Sequence, residues 1–347
     1  MSEGPEHDDD RTKREAEKSL LAGWVGYTIV GLILLSAAIV SGGYLWLNQK
    51  YTEAGPLAAD QDVVIPRGAG LERIANLLVE EGVLVDANIF IFGVKFEEGA
   101  GALRAGEYRF PAGVSAKGAA DILRNARPVV RRVTIPEGLT TREIIDLVNA
   151  TPGLEGLVTT GFAEGDLLPE TYHFEKGDTR DALLARMKQA HDDALAEIWA
   201  KRRQGLPLND PQELVILASI VEKETGQAQE RPLVAGVFIN RLNKPMRLQS
   251  DPTVVYGITL GDGPLGRSLT RKDLKEPTPY NTYTIDRLPP GPIANPGRAS
   301  MEAVANPAET DAYYFVADGT GGHAFARTLA EHNRNVAKWR KIRDAQK

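Results

Sequence analysis

From Leu20 to Leu47 the chain runs LLAGWVGYTIVGLILLSAAIVSGGYLWL, 28 residues without a charge. About 20 apolar residues suffice to cross the hydrocarbon core of a bilayer as a helix, so this stretch constrains the topology before anything else is read. A cleaved signal peptide carries an apolar core of only about 7–15 residues, so an uncleaved transmembrane helix over 20–47 is expected. Trp24 and Tyr27 near one end, and Tyr44, Trp46 and Tyr51 near the other, suit the aromatic belts of the two interfaces. Arg11, Lys13, Arg14 and Lys18 precede the span, whereas only Lys50 follows it closely. Basic flanks stay inside, which puts the N-terminus in the cytoplasm and everything after Leu47 outside the cytoplasmic (inner) membrane. Residues 1–19 read as a disordered cytoplasmic tail and 48–60 as a linker. The rest of the chain faces a compartment of large envelope polymers and no ATP.

Composition excludes several chemistries. Lys and Arg total 41 against 47 Asp and Glu, a formal net charge of −6, so no nucleic-acid partner is expected. The 347 residues contain no cysteine, which removes disulfides, thiolate metal sites and cysteine nucleophiles together. Five scattered histidines without an H-E-x-x-H pattern give a metal no support, and the absence of G-x-S-x-G and S-x-x-K speaks against serine acyl transfer. No cofactor is expected.

The fold class reads as α+β. VVIPRG is a short strand ending in a turn, followed by helical spacing at Leu71, Ile74, Ala75, Leu77 and Leu78, a second helix near 87–94, the strand-like GEYRF at 106–110 and a helix near 116–123. This makes 61–130 a small module. VRRVTIPEG at 130–138 repeats the strand closed by Pro and Gly, a hint of internal duplication, and TTREIIDLVNA adds another amphipathic helix. Residues 131–345 form the second, larger domain, with a long charged helix over 181–201. Its most strongly patterned piece is DPQELVILASIVEKET at 210–225: Asp210 is an N-cap, Pro211 fits the first helical position and Glu213 completes a capping box. The body 214–221 is apolar on every face, as in a helix buried in a core.

Glu222 leaves that body beside Ala218 and Val215, and Glu224 beside Ile220 and Leu217. Desolvation raises a carboxyl pKa toward what a general acid needs, and periodicity does not choose between the two. Downstream, Asn240, Gln249, Asp251, Tyr256, Asn281, Thr282 and Tyr283 lie among turn formers, and seven prolines between Pro277 and Pro307 mark a long ordered loop region rather than regular helix. Amides, hydroxyls and aromatic faces without a cationic cluster suit sugars better than phosphates. Gln249, Asp251, Tyr256, Asn281, Thr282 and Tyr283 are the substrate-binding candidates. Asn281, between Tyr280 and Tyr283, is expected to present its amide outward to a sugar. The Gly-rich ADGTGGHAF at 317–325 is expected to be a turn near the site.

LASIVEKET at 217–225, FINRL at 238–242, MRLQSDPTVVYG at 246–257, PTPYNTYTIDRLPPGPIANPG at 277–297 and YYFVADGTGGHAF at 313–325 occur in order behind one N-terminal span. Together they resemble the MltG (YceG-like) family of endolytic murein transglycosylases. The resemblance implies that 61–130 is a LysM-like module, that 131–345 is the catalytic domain, and that the acid is the first glutamate of the VEKET motif, Glu222. It also implies peptidoglycan glycan strands as substrate, cut without water to leave 1,6-anhydro-MurNAc ends, and glycan polymerases as partners. The competing readings are a muramidase with Glu222 as acid and Asp251 as second carboxylate, and a non-catalytic membrane-anchored glycan-binding protein.

Overall fold

A computed structural model describes residues 9–97 and 102–345, with side chains at Trp24 and from Thr28 onward. The basic flank and Tyr27 therefore lie outside the described side chains, and residues 1–8 outside the described backbone. The fold is mixed α+β, with two compact units that meet in sequence between Val129 and Val130.

In the first unit, α1 (Asp9–Thr52) is helical from its charged start, so the part of the expected tail after residue 8 is helix. Its stretch Thr28–Thr52 has a mean hydropathy of 2.0 over its most apolar part, none of which is buried, and is long and apolar enough to cross a membrane. Strand β1 (Gln61–Ile65) pairs antiparallel with β2 (Gly106–Phe110), Val63 opposite Tyr108. Helices α2 (Leu71–Glu80), α3 (Ala87–Phe96) and α4 (Ala116–Asn125) pack with them. Tyr108, Phe90, Phe110, Leu78 and Leu123 are fully buried in that core, each contributing roughly 1.5–3 kcal/mol.

The expected linker 48–60 belongs to this core instead. Tyr51 is 4% exposed and Leu57 is buried with it. Gly55 N–H donates to Gly113 O at 3.2 Å, and Gly113 N–H to Leu57 O at 2.8 Å. A Cβ on Gly93 would fall 2.3–2.6 Å from the Tyr51 ring, so only glycine lets α3 approach α1 there. A linker composition of small and polar residues did not reveal one aromatic and one leucine with places in a core.

The second unit repeats the opening device. Strand β3 (Arg131–Thr134) pairs antiparallel with β4 (Thr171–Phe174), and α5 (Thr141–Ala150) follows β3 as α2 follows β1. Gly68 and Gly138 close the two Pro-containing turns at φ 76° and 77°, where a side chain would be strained. The capping box Thr140/Glu143 starts α5. Helix α6 (Arg180–Ala200) spans two cores: Leu183, Leu184 and Met187 pack with β3, β4 and α5, while Ala194 and Ile198 pack with α7 (Pro211–Glu224), α8 (Arg231–Asn243) and α10 (Arg298–Ala305). Helix α9 (Asp251–Thr259) and a 3₁₀ turn at Asp273–Lys275 interrupt the polar loops. Helix α10 corrects the expectation of loop throughout 277–307, because no proline falls between Pro296 and Pro307. The hairpin β5 (Tyr314–Ala317) and β6 (His323–Ala326), with Phe315 opposite Phe325, and α11 (Leu329–Ala345) complete the unit.

Candidate active site

Helix α7 positions the site. Asp210 Oδ1 accepts from Glu213 N–H at 2.9 Å and Pro211 occupies the first turn. The expected capping box does not close: the Glu213 carboxylate accepts instead from Asn209 N–H at 2.7 Å and Asn209 Nδ2 at 2.8 Å. All of 214–221 is buried. Ser219 Oγ donates to Ile216 O at 2.7 Å and accepts from Ile293 N–H at 3.0 Å, fixing the proline-rich loop to the helix. Two residues apart, Glu222 and Glu224 differ by about 200° around the axis and reach different surroundings.

Glu222 turns toward the β3–α5 turn. Its side chain is 5% exposed, Oε1 lies 3.3 Å from Arg231 Nη2, and Oε2 accepts from Gly297 N–H at 3.0 Å. The same Arg231 nitrogen donates to Glu137 Oε2 at 2.9 Å, so one guanidinium serves two carboxylates. Burial, and then the charge of Glu222, push the Glu137 carboxyl up. Both oxygens of Glu222 are thus occupied, one by a cation and one by a backbone donor.

Glu224 instead lines a cavity of about 430 Å³ with Gln249, Asp251 and Tyr283. Arg241 of α8, Tyr314, Phe315 and His323 of the hairpin and His332 of α11 form other walls. Ser250 Oγ donates to Glu224 Oε1 at 2.5 Å. Burial pushes the Glu224 carboxyl up; the Ser250 hydrogen bond opposes this, and the charge of Asp251 adds to it. A carboxyl whose pKa is raised by desolvation at the edge of a cavity is suited to deliver a proton to a bound ether oxygen.

The substrate-binding candidates divide. Gln249 is exposed at the cavity with φ 51°, and its N–H donates to Thr282 O at 3.2 Å. A non-glycine residue in the left-handed region is the kind of local strain retained at binding sites. Asp251 opens α9, and its Oδ1 accepts from Tyr283 OH at 2.7 Å. Burial first, and that bond next, push the Tyr283 hydroxyl up, so it remains a donor. Tyr256 lies off this cavity. It lines a neighbouring one of about 550 Å³ that shares Asp251, packs against Tyr280 with ring centroids 4.8 Å apart and the rings tilted by 58°, and donates to Glu164 Oε2 at 3.2 Å.

Asn281 and Thr282 do not face either cavity. Both are fully buried. Asn281 Nδ2 donates to Glu276 O at 2.7 Å and Asp273 O at 3.2 Å, and its Oδ1 accepts from Tyr283 N–H at 2.9 Å, so the amide points inward against expectation. Thr282 Oγ1 accepts from Ser250 N–H at 2.9 Å and bonds Thr253 Oγ1 at 2.8 Å. These side chains fold the loop that presents Gln249 and Tyr283.

Sequence reasoning missed Arg241, Ser250, His323 and His332. Arg241 is buried and donates to Tyr313 O at 2.7 Å and Leu248 O at 2.6 Å, joining the hairpin to the Gln249 loop. His323 Nδ1 lies 2.7 Å from Glu230 Oε2, and its N–H donates to Glu230 Oε1 at 2.8 Å. The FINRL and GGHAF segments hold these two residues, but nothing local marks them as walls of the cavity that Glu224 lines. Among the described residues no group of three or more His, Asp or Glu converges as a metal site.

A family profile described as the YceG-like family matches residues 63–338. Two proteins named endolytic murein transglycosylase, from Streptococcus pneumoniae strains D39 and R6, are each 29% identical to the chain over 366 aligned residues, 89% of this chain and 64% of theirs. The chain therefore spans less than two thirds of the length of those relatives. A protein of the same name from Bacillus subtilis strain 168 is 30% identical over 311 residues, 80% of this chain and 84% of its own. A crystal structure of a yceG-like protein from Listeria monocytogenes is 31% identical and covers 80% of this chain and 99% of its own, with a TM-score of 0.48.

Proposed function

Because the chain belongs to the YceG-like family, we propose that it is an endolytic lytic transglycosylase of peptidoglycan, with Glu224 rather than Glu222 as its acid. The observation that carries this is the pairing of a desolvated Glu224 with Gln249, Asp251 and Tyr283 around one cavity, while Glu222 is held by Arg231 and Gly297. Glu224 donates its proton to the glycosidic oxygen between N-acetylmuramic acid and N-acetylglucosamine. The C1–O bond breaks toward the leaving sugar. The resulting carboxylate then takes the proton of the muramyl 6-hydroxyl as that oxygen closes on C1, giving the 1,6-anhydro ring and restoring protonated Glu224. No water is consumed, so no second carboxylate is required.

The Ser250 hydroxyl supports the carboxylate formed between the two proton transfers, since it already donates to Oε1. Gln249, Tyr283 and Asp251 supply the polar contacts that orient the sugar. In this reading α1 is a single-pass anchor of the cytoplasmic membrane with its N-terminus inside, and 61–130 is a LysM-like glycan-binding module. The protein ends nascent strands near the membrane, in company with glycan polymerases.

Asp251 shares the cavity with Glu224, and this favours a second reading, a muramidase with two carboxylates. Mass spectrometry of products from purified peptidoglycan decides: anhydro ends are lighter by one water than hydrolysed reducing ends. Products with only reducing ends would establish hydrolysis, and full activity in a folded Glu224→Gln protein would remove the assignment of the acid.

A further inference from the structure

Helix α3 carries an apolar stripe that the core of the first unit does not use. Phe90 and Gly93 face inward, whereas Val85, just before the helix, and Phe92 and Phe96 along it are 78%, 50% and 64% exposed. With half-buried Ile89, Phe92 and Phe96 recur at spacings of three and four, which places these three on one side of the helix, and Val85, ahead of the N-cap Asp86, joins Ile89 in lining one hollow. Val85 and Ile89 line a hollow whose opposite wall is Trp46 and Lys50 of α1. Trp46 is 58% exposed, one to two turns before Tyr51, and Tyr51 is the residue that locks α1 to Gly93 of α3. The stripe therefore begins beside the final apolar turns of the candidate span and is continuous with its surface.

We propose that this face of α3 rests in the outer interface of the bilayer, so that the first unit docks on lipid through Val85, Ile89, Phe92 and Phe96 as well as through α1. This inference rests on the reading of α1 as a membrane span. The occupant follows from continuity: the surface next to the stripe is Trp46, Leu45 and Tyr44, all exposed on α1, and such side chains have lipid as their solvent at that depth. Exposed Lys95 flanks the stripe with a cationic end for lipid headgroups, Lys50 beside it being paired with Glu53 at 2.7 Å, and the long apolar side chains reach the acyl boundary, as in interfacial amphipathic helices.

The chain has no cysteine, so single cysteines report single positions. Full-length protein in phosphatidylglycerol/phosphatidylethanolamine nanodiscs would be labelled with an environment-sensitive fluorophore at Phe92→Cys, Phe96→Cys, Leu45→Cys on α1, and exposed Asn76→Cys on α2. The expected result is blue-shifted emission and quenching by nitroxide-bearing lipids at positions 92, 96 and 45, with neither at 76. In the unmodified chain, a lipid with a photoreactive headgroup is expected to cross-link within 85–96. Labels at 92 and 96 that behave like that at 76 while 45 is quenched, with no cross-link in 85–96, would overturn the docking surface and leave the anchor. An unquenched label at 45 would overturn the anchor and the docking surface together. A second copy of the chain covering the stripe would appear as cross-links between chains and unquenched labels at 92 and 96, and would also overturn lipid docking.

Discussion

Glu224 and Glu222 share a helix, a residue type and nearly a position, yet Glu222 is held by Arg231 and Gly297 whereas Glu224 lines a cavity. Glu224→Gln keeps volume and the Ser250 contact, and turnover is expected to fall by about 10²–10⁴-fold, measured as anhydro product per folded molecule. Glu222→Gln is expected to keep turnover per folded molecule but to lower stability by roughly 1–3 kcal/mol in denaturant unfolding, because Arg231 loses one of its two carboxylates. The pH dependence has a definite sign. Burial raises the Glu224 pKa above the ordinary carboxylate value, so kcat/KM is expected to be full while the group is protonated and to fall as pH rises through the raised value. The charge of Asp251 adds to that elevation, so Asp251→Asn should move this limb to lower pH, a shift that simple loss of a sugar contact would not produce. Stability follows the same sign: the folded state holds this proton more tightly than the unfolded chain, so the contribution is complete below the ordinary carboxylate pKa and is lost as pH rises through the raised one.

At the scale of elements, the loops that carry Gln249 and Tyr283 are held by buried side chains of their own. Asn281→Ala is expected to cost roughly 1–3 kcal/mol by removing the amide hydrogen bonds to Glu276 O and Asp273 O and leaving the buried loop without the acceptor for Tyr283 N–H, and activity should fall only with the folded fraction. An unchanged melting temperature with lower kcat/KM would instead return Asn281 to the sugar. Helix α7 was legible in sequence because its signals are local: an N-cap, a first-turn proline and an unbroken apolar body. The choice between Glu222 and Glu224 was not, because a helix apolar on all sides has no period to say which side meets the cavity. That depends on Arg231 and Gly297 on one side and on Ser250 and the hairpin on the other, all distant in sequence from the glutamate they meet or next to it only through another helix. The inward turn of Asn281 was equally hidden, since its partners are backbone carbonyls that any residue could supply. Helix α10 is not legible from the number of prolines in 277–307, because helices respond to where prolines fall.

For the molecule as a whole, the core clusters respect the division at 129 and 130: one is drawn from residues 51–123 and the other two from 133–305. Every residue given a chemical role belongs to the second unit. A chain beginning at Val130 is therefore expected to unfold cooperatively and to cleave soluble glycan, checked by thermal unfolding and product mass spectra; an unfolded or inactive product would mean that the first unit completes the second. Removing residues 1–51 should be worse for the first unit than removing 1–47, by about 3–5 kcal/mol, since the former deletes the Tyr51 ring from its core. The seating of Tyr51 over Gly93 has a mechanical side too. A rod that runs without a swivel into the body it carries hands on its own tilt and spin. If α1 stands in a bilayer, the attached unit keeps one side toward the lipid wherever the protein diffuses, and it meets polymer by sweeping a plane instead of exploring a volume.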